Sequence, residues 1–139
     1  MRVMIIRKAD AETEAGAMPS PELAEAMMSY MQRMKDAGVL LDMGNGLKPS
    51  AQGARVAFSK GKPLVTDGPF AETKELIAGY SLLEVESLEE AIAWARDWPC
   101  RDADGEVTLE IRPLWEVEEF GDAFSEAVTA THDAIREAR

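Results

Sequence analysis

Cysteine and histidine are almost absent: Cys100 and His132 are the only ones in 139 residues. One cysteine cannot close an internal disulfide, and one of each falls short of the four Cys or His ligands of a structural zinc centre. No long apolar run occurs. The first, Val3 to Ile6, is far shorter than the roughly 7 to 15 residues of a signal peptide's hydrophobic segment. No other stretch approaches the length that spans a bilayer. The expected setting is therefore a reduced cytoplasm. Positive charge is also scarce, at 15 Lys plus Arg against 26 Asp plus Glu, a net of −11. Such a field repels phosphate backbones and anionic lipid heads, which excludes nucleic acid and membrane surfaces as expected partners. What is present is apolar content of 46%, enough for one domain to bury a core without metal or disulfide.

Hydrophobic periodicity orders the chain. Residues 2 to 8 read as a strand with apolar residues on both faces, Val3 and Ile5 against Met4 and Ile6, so the second face also needs cover. Ser20-Pro21 reads as an N-cap with proline at the first helical position. Leu23, Met27, Tyr30, Met31 and Met34 recur at helical spacing until Gly38, predicting a helix over about 20–37. Its methionines follow packing spacing and are expected in the core. Val39 to Leu41 restart as a strand, and Ala54 to Ser59 with Pro63 to Thr66 flank a turn at Lys60-Gly61-Lys62 as a hairpin. Ile77 to Val85 reads as a strand, Ser87 with Glu90 as a capping box for a helix to about Asp97, and Glu106 to Arg112 as an alternating strand. Trp94 and Trp98, one turn apart, are expected to pack under the tail. Residues 121–138 predict a last helix with Phe124, Val128 and Ile135 on one stripe. From Glu116 to Arg139 seven acids face two bases, a net of −5, more acidic than the body.

The order β-α-β-β-β-β-α-β, less the hairpin, is a split βαβ plan: an antiparallel sheet with two helices on one face. The expected fold class is thus α+β, ferredoxin-like, over residues 1–120, with 121–139 as an acidic helical extension.

The run from Val65 to Glu75 carries the most information. It places Asp67 where a strand stops, followed by Gly68, free of Cβ restrictions, and Pro69 with its fixed φ. An aspartate there can bond the backbone two residues on. This segment resembles the signature of the YCII-related proteins, in the subgroup named for its Asp-Gly-Pro-Phe motif. The resemblance extends from Met1 to about Phe120 through Lys8-Ala9-Asp10, Ala37-Gly38-Val39-Leu40, Gly46-Leu47, Glu90-Ala91-Ile92 and Glu110-Ile111-Arg112-Pro113. It implies two copies packing sheet against sheet as a dimeric α+β barrel. Some relatives are thought to use a histidine with an aspartate, and the subgroup often has Gly-Leu-His-Pro. Here that stretch is Gly46-Leu47-Lys48-Pro49, so Asp67 carries over and the histidine does not.

Helices covering one face leave the other open, and the chemistry is expected there. Asp67 is the candidate acid or base, with Lys8, Arg55, Tyr80, Glu110 and Arg112 as candidate ligand-binding groups. An arginine fork and a half-buried carboxylate suit a small polar or anionic metabolite. Each residue also has an ordinary reading: Asp67 as a turn former, Glu110 and Arg112, which share a strand face, as a cross-sheet or inter-subunit ion pair, Tyr80 as packing. Two function classes follow. One is a cytoplasmic homodimer with a small-molecule cleft between its subunits, an acid–base enzyme centred on Asp67 and needing no metal or nucleotide cofactor. The other is a regulatory or adaptor module binding a metabolite or a protein, a role the resemblance supports through relatives fused or adjacent to sigma factors.

Overall fold

The computed structural model describes residues 1–138; Arg139, the end of the expected extension, lies outside them. In chain order the elements are β1 (Arg2–Lys8), α1 (Ala11–Glu14), α2 (Pro21–Asp36), β2 (Leu40–Asp42), β3 (Ala54–Ser59), β4 (Lys62–Asp67), β5 (Ile77–Glu84), α3 (Leu88–Arg96), β6 (Leu109–Pro113) and α4 (Glu126–Glu137), with short 3-10 turns between several of them. Four strands make an antiparallel sheet in the order β2-β5-β1-β6, and β3 with β4 makes a separate two-stranded sheet. With the hairpin set aside, that order is the ferredoxin-like split βαβ arrangement expected from the sequence. The fold is α+β.

One face of the sheet holds the core. Val3 and Ile5 of β1 are fully buried there with Leu83 of β5, against Tyr30, Met31 and Met34 of α2 and Ala91 of α3. Both α2 and α3 therefore cover the same face. The start of α2 follows its chemistry: Ser20 Oγ accepts from the Leu23 amide, and Pro21 occupies a position whose N–H would have no helical partner. In α3, Ser87 Oγ accepts from the Glu90 amide, while the Glu90 carboxylate reaches the Glu86 amide, one residue earlier than a reciprocal box requires. Trp98 does not pack under the tail. Its ring meets the edge of Tyr30 at 5.6 Å, and Tyr30 Oη donates to the Trp94 carbonyl at 2.7 Å; both tryptophans pack against the core cluster.

The second face is less bare than alternation suggests. Ile6 is only 8% exposed within the single chain, and Met4, Tyr80 and Leu82 are half-buried. The unpartnered apolar surface lies elsewhere. The hairpin turns through Lys60 (φ 52°) and Gly61 (φ 78°), a two-residue reversal with both central residues left-handed, and leaves Phe58 70% and Leu64 67% exposed. Its strands pack chiefly on each other. The last helix starts later than position 121, because Gly121 takes φ 55° and Ser125 supplies the cap to Val128. Its stripe leaves Val128 and Ile135 exposed. No helix among the described residues is long and apolar enough to cross a membrane.

Burial of Tyr30, reinforced by the nearby charge of Asp97, pushes its phenol from 10 up to about 12. The folded state then holds the proton that the unfolded chain releases, so stability is present below pH 10 and falls between pH 10 and about 12. Denaturant titrations across this window should show that fall, and Tyr30→Phe should flatten it. A parallel decline in both proteins would assign the alkaline loss to other groups.

Candidate functional site

Arg7 is the third inward-pointing residue of β1 after Val3 and Ile5, at the end of the strand where α2 and α3 no longer close over the sheet. Its guanidinium is buried and fully oriented. Nη2 donates to Asp102 Oδ1 at 2.6 Å, Nε to Asp102 Oδ2 at 3.1 Å, and Nη1 to the Lys8 carbonyl at 2.8 Å and Asp10 Oδ2 at 3.1 Å. Asp102 opens the turn that follows α3 and also accepts from Trp98 Nε1 at 2.8 Å. Asp10 caps α1: its Oδ1 accepts from the Thr13 amide at 2.8 Å, and Thr13 Oγ1 accepts from the Asp10 amide at 2.9 Å. The Asp102 hydrogen bonds raise the Arg7 pKa further. The Thr13 amide, and after it Arg7, hold the Asp10 carboxyl below its ordinary value. Both groups are thereby fixed in their charged forms.

This network floors a cavity of about 610 Å³ between α1, the first half of α2, the loop after β2 and the turn after α3. Small-molecule sites typically fall in the range of roughly 300–1,000 Å³. Leu23, Met27, Met28 and Met31 supply one wall, with Met43 and Trp98 opposite and beside them. The methionines thus divide: Met31 and Met34 are buried as expected of a core stripe, whereas Met28 is exposed at the cavity rim. The loop wall lies unusually close to β5. Gly44 has φ 70°, and a Cβ on it would stand 1.8 Å from the Tyr80 carbonyl oxygen, so only glycine fits. The Gly44 amide donates to Asp42 Oδ1 at 2.7 Å, and the Leu47 amide to the Ala78 carbonyl at 2.7 Å.

The six residues expected to converge do not form one site. Lys8, Glu110 and Arg112 do meet on the uncovered face: Lys8 Nζ stands 4.0 Å from Glu110 Oε1, and Arg112 Nη1 3.2 Å from Glu110 Oε2. That is the ion-pair alternative, with Arg112 exposed. Tyr80 pairs with Ile6 across the sheet and is the only one of the six that also lines the cavity. Asp67 and Arg55 belong to the separate hairpin, where Asp67 pairs with Ala54 and Arg55 with Thr66, which places them on opposite hairpin faces. Lys48 is exposed and outside the cavity. No group of three metal-ligating side chains occurs among the described residues.

The Asp-Gly-Pro-Phe turn has a different anchor from the one anticipated. The residue two beyond Asp67 is Pro69, which has no amide to donate, and Asp67 itself is exposed. Instead Gly68 lies flat on the 3-10 turn Ser50–Gln52, where a Cβ would stand 1.7 Å from the Ser50 carbonyl oxygen. The Phe70 amide donates to Ser50 Oγ at 3.1 Å, Ser50 Oγ donates to Glu14 Oε2 at 2.5 Å, and the Arg55 guanidinium sits 4.0 Å over the Phe70 ring. The motif thereby ties the hairpin base to α1, whose other end caps the cavity floor.

Sequence reasoning missed Arg7, Asp10 and Asp102. A signal for the first existed: Arg7 has the same parity as Val3 and Ile5, and a charge on the buried face of a strand demands a partner. Asp102 lies 95 residues away and carried none.

These contacts assign different roles to adjacent residues. Gly68→Ala should overpack against Ser50 and cost about 1–3 kcal/mol in denaturant unfolding. Asp67→Asn, exposed, should stay within about 0.5 kcal/mol. Equal costs would refute this anchoring of the turn.

Two comparisons yield proteins similar to this chain. A protein of Rhizobium meliloti (strain 1021), itself uncharacterized, is 36% identical over 104 residues, covering 73% of this chain and 82% of its own length. Among solved structures, a 5-chloro-2-hydroxyhydroquinone dehydrochlorinase from Burkholderia phenoliruptrix AC1100, in complex with 2,5-dihydroxybenzoquinone, is 16% identical, with a TM-score of 0.49 over 86% of this chain and 98% of that one. A likeness that distant bears on neither activity nor ligand. The model of the YCII-related domain matches residues 1–118, and with the Rhizobium relative it establishes that the chain belongs to the YCII-related family.

Proposed function

We propose that this protein is a metabolite-binding module that takes a small organic molecule into the cavity floored by Arg7, Asp10 and Asp102, without turning it over. The observation that carries this reading is the cavity itself: about 610 Å³, walled by thioethers, a leucine and an indole, over a short set of oriented polar groups. That combination of apolar wall and few fixed polar atoms is how small-molecule sites are generally built. Two of those groups favour the reading without turnover. A general acid or base must exchange a proton near the operating pH. Arg7 is held above its ordinary pKa and Asp10 below, so neither does so near neutrality. The acid–base reading centred on Asp67 gains no support from an exposed carboxylate on a hairpin outside the cavity lining.

The module acts as a homodimer on this reading. Support comes from the hairpin, whose Val56, Phe58, Leu64 and Val65 are exposed, since an isolated two-stranded hairpin is marginal in water without something to pack against. Residues 121–139 are read as an appended acidic segment, supported by the family match ending at residue 118 and by the sparse contacts of α4.

A thermal-shift screen against cellular metabolites, paired with Ala24→Trp, tests the reading. Ala24 lies on the cavity side of α2 and is exposed, so the indole should fill the cavity at a cost of only about 0.5 kcal/mol in helix propensity. A ligand at about 100 times its Kd adds roughly 2.7 kcal/mol, a shift of several degrees. The parent should show such a shift and the variant should not, and light scattering should give twice 15.2 kDa for both. A ligand shift that survives Ala24→Trp would place binding outside the cavity, and a monomeric mass would remove the dimer.

A further inference from the structure

The cavity's charge balance selects its ligand. Its floor holds one cation between two carboxylates, Arg7 between Asp10 and Asp102, which leaves a net −1. The rim adds Glu12 and Asp104 against Arg101, a further −1. The hydrogen-bond inventory has the same sign. Arg7 already commits four of its N–H groups, so of the five a guanidinium carries about one remains for a ligand. Asp102 accepts three bonds and Asp10 two, which leaves roughly three acceptor sites on the two carboxylates. A carboxylate or phosphate ligand would meet two like charges and one spare donor. An ammonium group would meet spare acceptors and a negative field.

We infer that the ligand is an organic cation: an amine whose ammonium sits over Asp10 and Asp102 and whose apolar body lies along Leu23, Met27, Met28 and Met31. This rests on the cavity being the binding site, and it departs from the small polar or anionic metabolite expected from the sequence. Thioethers are suited to such a body because they are polarizable and adjust to shape.

Three probes matched in size and differing in head group separate the possibilities: 2-phenylethylamine, 2-phenylethanol and 3-phenylpropionate, titrated calorimetrically into the full-length protein. The ammonium should bind about tenfold or more tighter than the carboxylate, with the alcohol between them. Neutralising the rim with Glu12→Gln and Asp104→Asn, both exposed positions, should weaken the amine about threefold and leave the alcohol unchanged. A carboxylate that binds as tightly as the amine, or an amine affinity indifferent to the rim substitutions, overturns the inference while the cavity remains the binding site. No binding of any of the three, together with no shift from the wider metabolite set, overturns both.

Discussion

The ion pair between Arg7 and Asp102 is the constraint around which this end of the molecule is organised. A strand that turns a guanidinium toward the core leaves a charge with almost no water to solvate it, and the cost of such a charge unpaired is several kcal/mol. Asp102 meets that demand with two hydrogen bonds and takes a third from Trp98, whose ring packs on Tyr30. The turn after α3 is thus held to the end of β1 and to α2 at once. Asp10 completes the arrangement and, as the cap of α1, positions that helix as the cavity's remaining wall. The pairing also fixes what the cavity can offer a ligand, because it consumes the donors and leaves acceptors.

The family signature sits at the far end of the same construction. Glu14, at the end of α1, receives both the amide and the hydroxyl of Ser50, and Ser50 in turn receives the Phe70 amide. This chain of bonds ties the hairpin base and the turn at 50–52 to α1. The residue of the motif that matters most to this contact is Gly68, by virtue of having no side chain, while Asp67 points into solvent. A motif can therefore be strongly patterned and still be architectural.

How much of this was legible in the sequence differs by feature. The sheet strands and the two long helices follow from periods of two and 3.6 residues and from local caps such as Ser20-Pro21 and Ser87, all of which are encoded within a few residues. The inward set Val3, Ile5 and Arg7 was legible by the same alternation, and reading it through to Arg7 would have pointed to a buried partner. The rest depends on contacts between distant segments. Nothing near Asp102 marks it as the partner of β1, and nothing in the pattern of β3 and β4 says that they stand apart from the main sheet. Asp67 drew attention because local turn chemistry is visible in sequence, whereas the packing of Gly68 on Ser50 is not. The site residues that were missed are those whose roles come from tertiary pairing alone.

A double-mutant cycle on Arg7 and Asp102 tests the central claim most directly, using isosteric apolar replacements, Arg7→Met and Asp102→Leu, singly and together, with unfolding free energies from denaturant titration. If the pair organises this region, Arg7→Met leaves the buried Asp102 carboxylate without a cation and costs about 3 kcal/mol or more, Asp102→Leu leaves Arg7 with Asp10 as its one carboxylate and costs somewhat less, and the double variant recovers a large part of the sum, a coupling of roughly 2 kcal/mol or above. Strict additivity, with the double variant losing the sum of the two single costs, would contradict it.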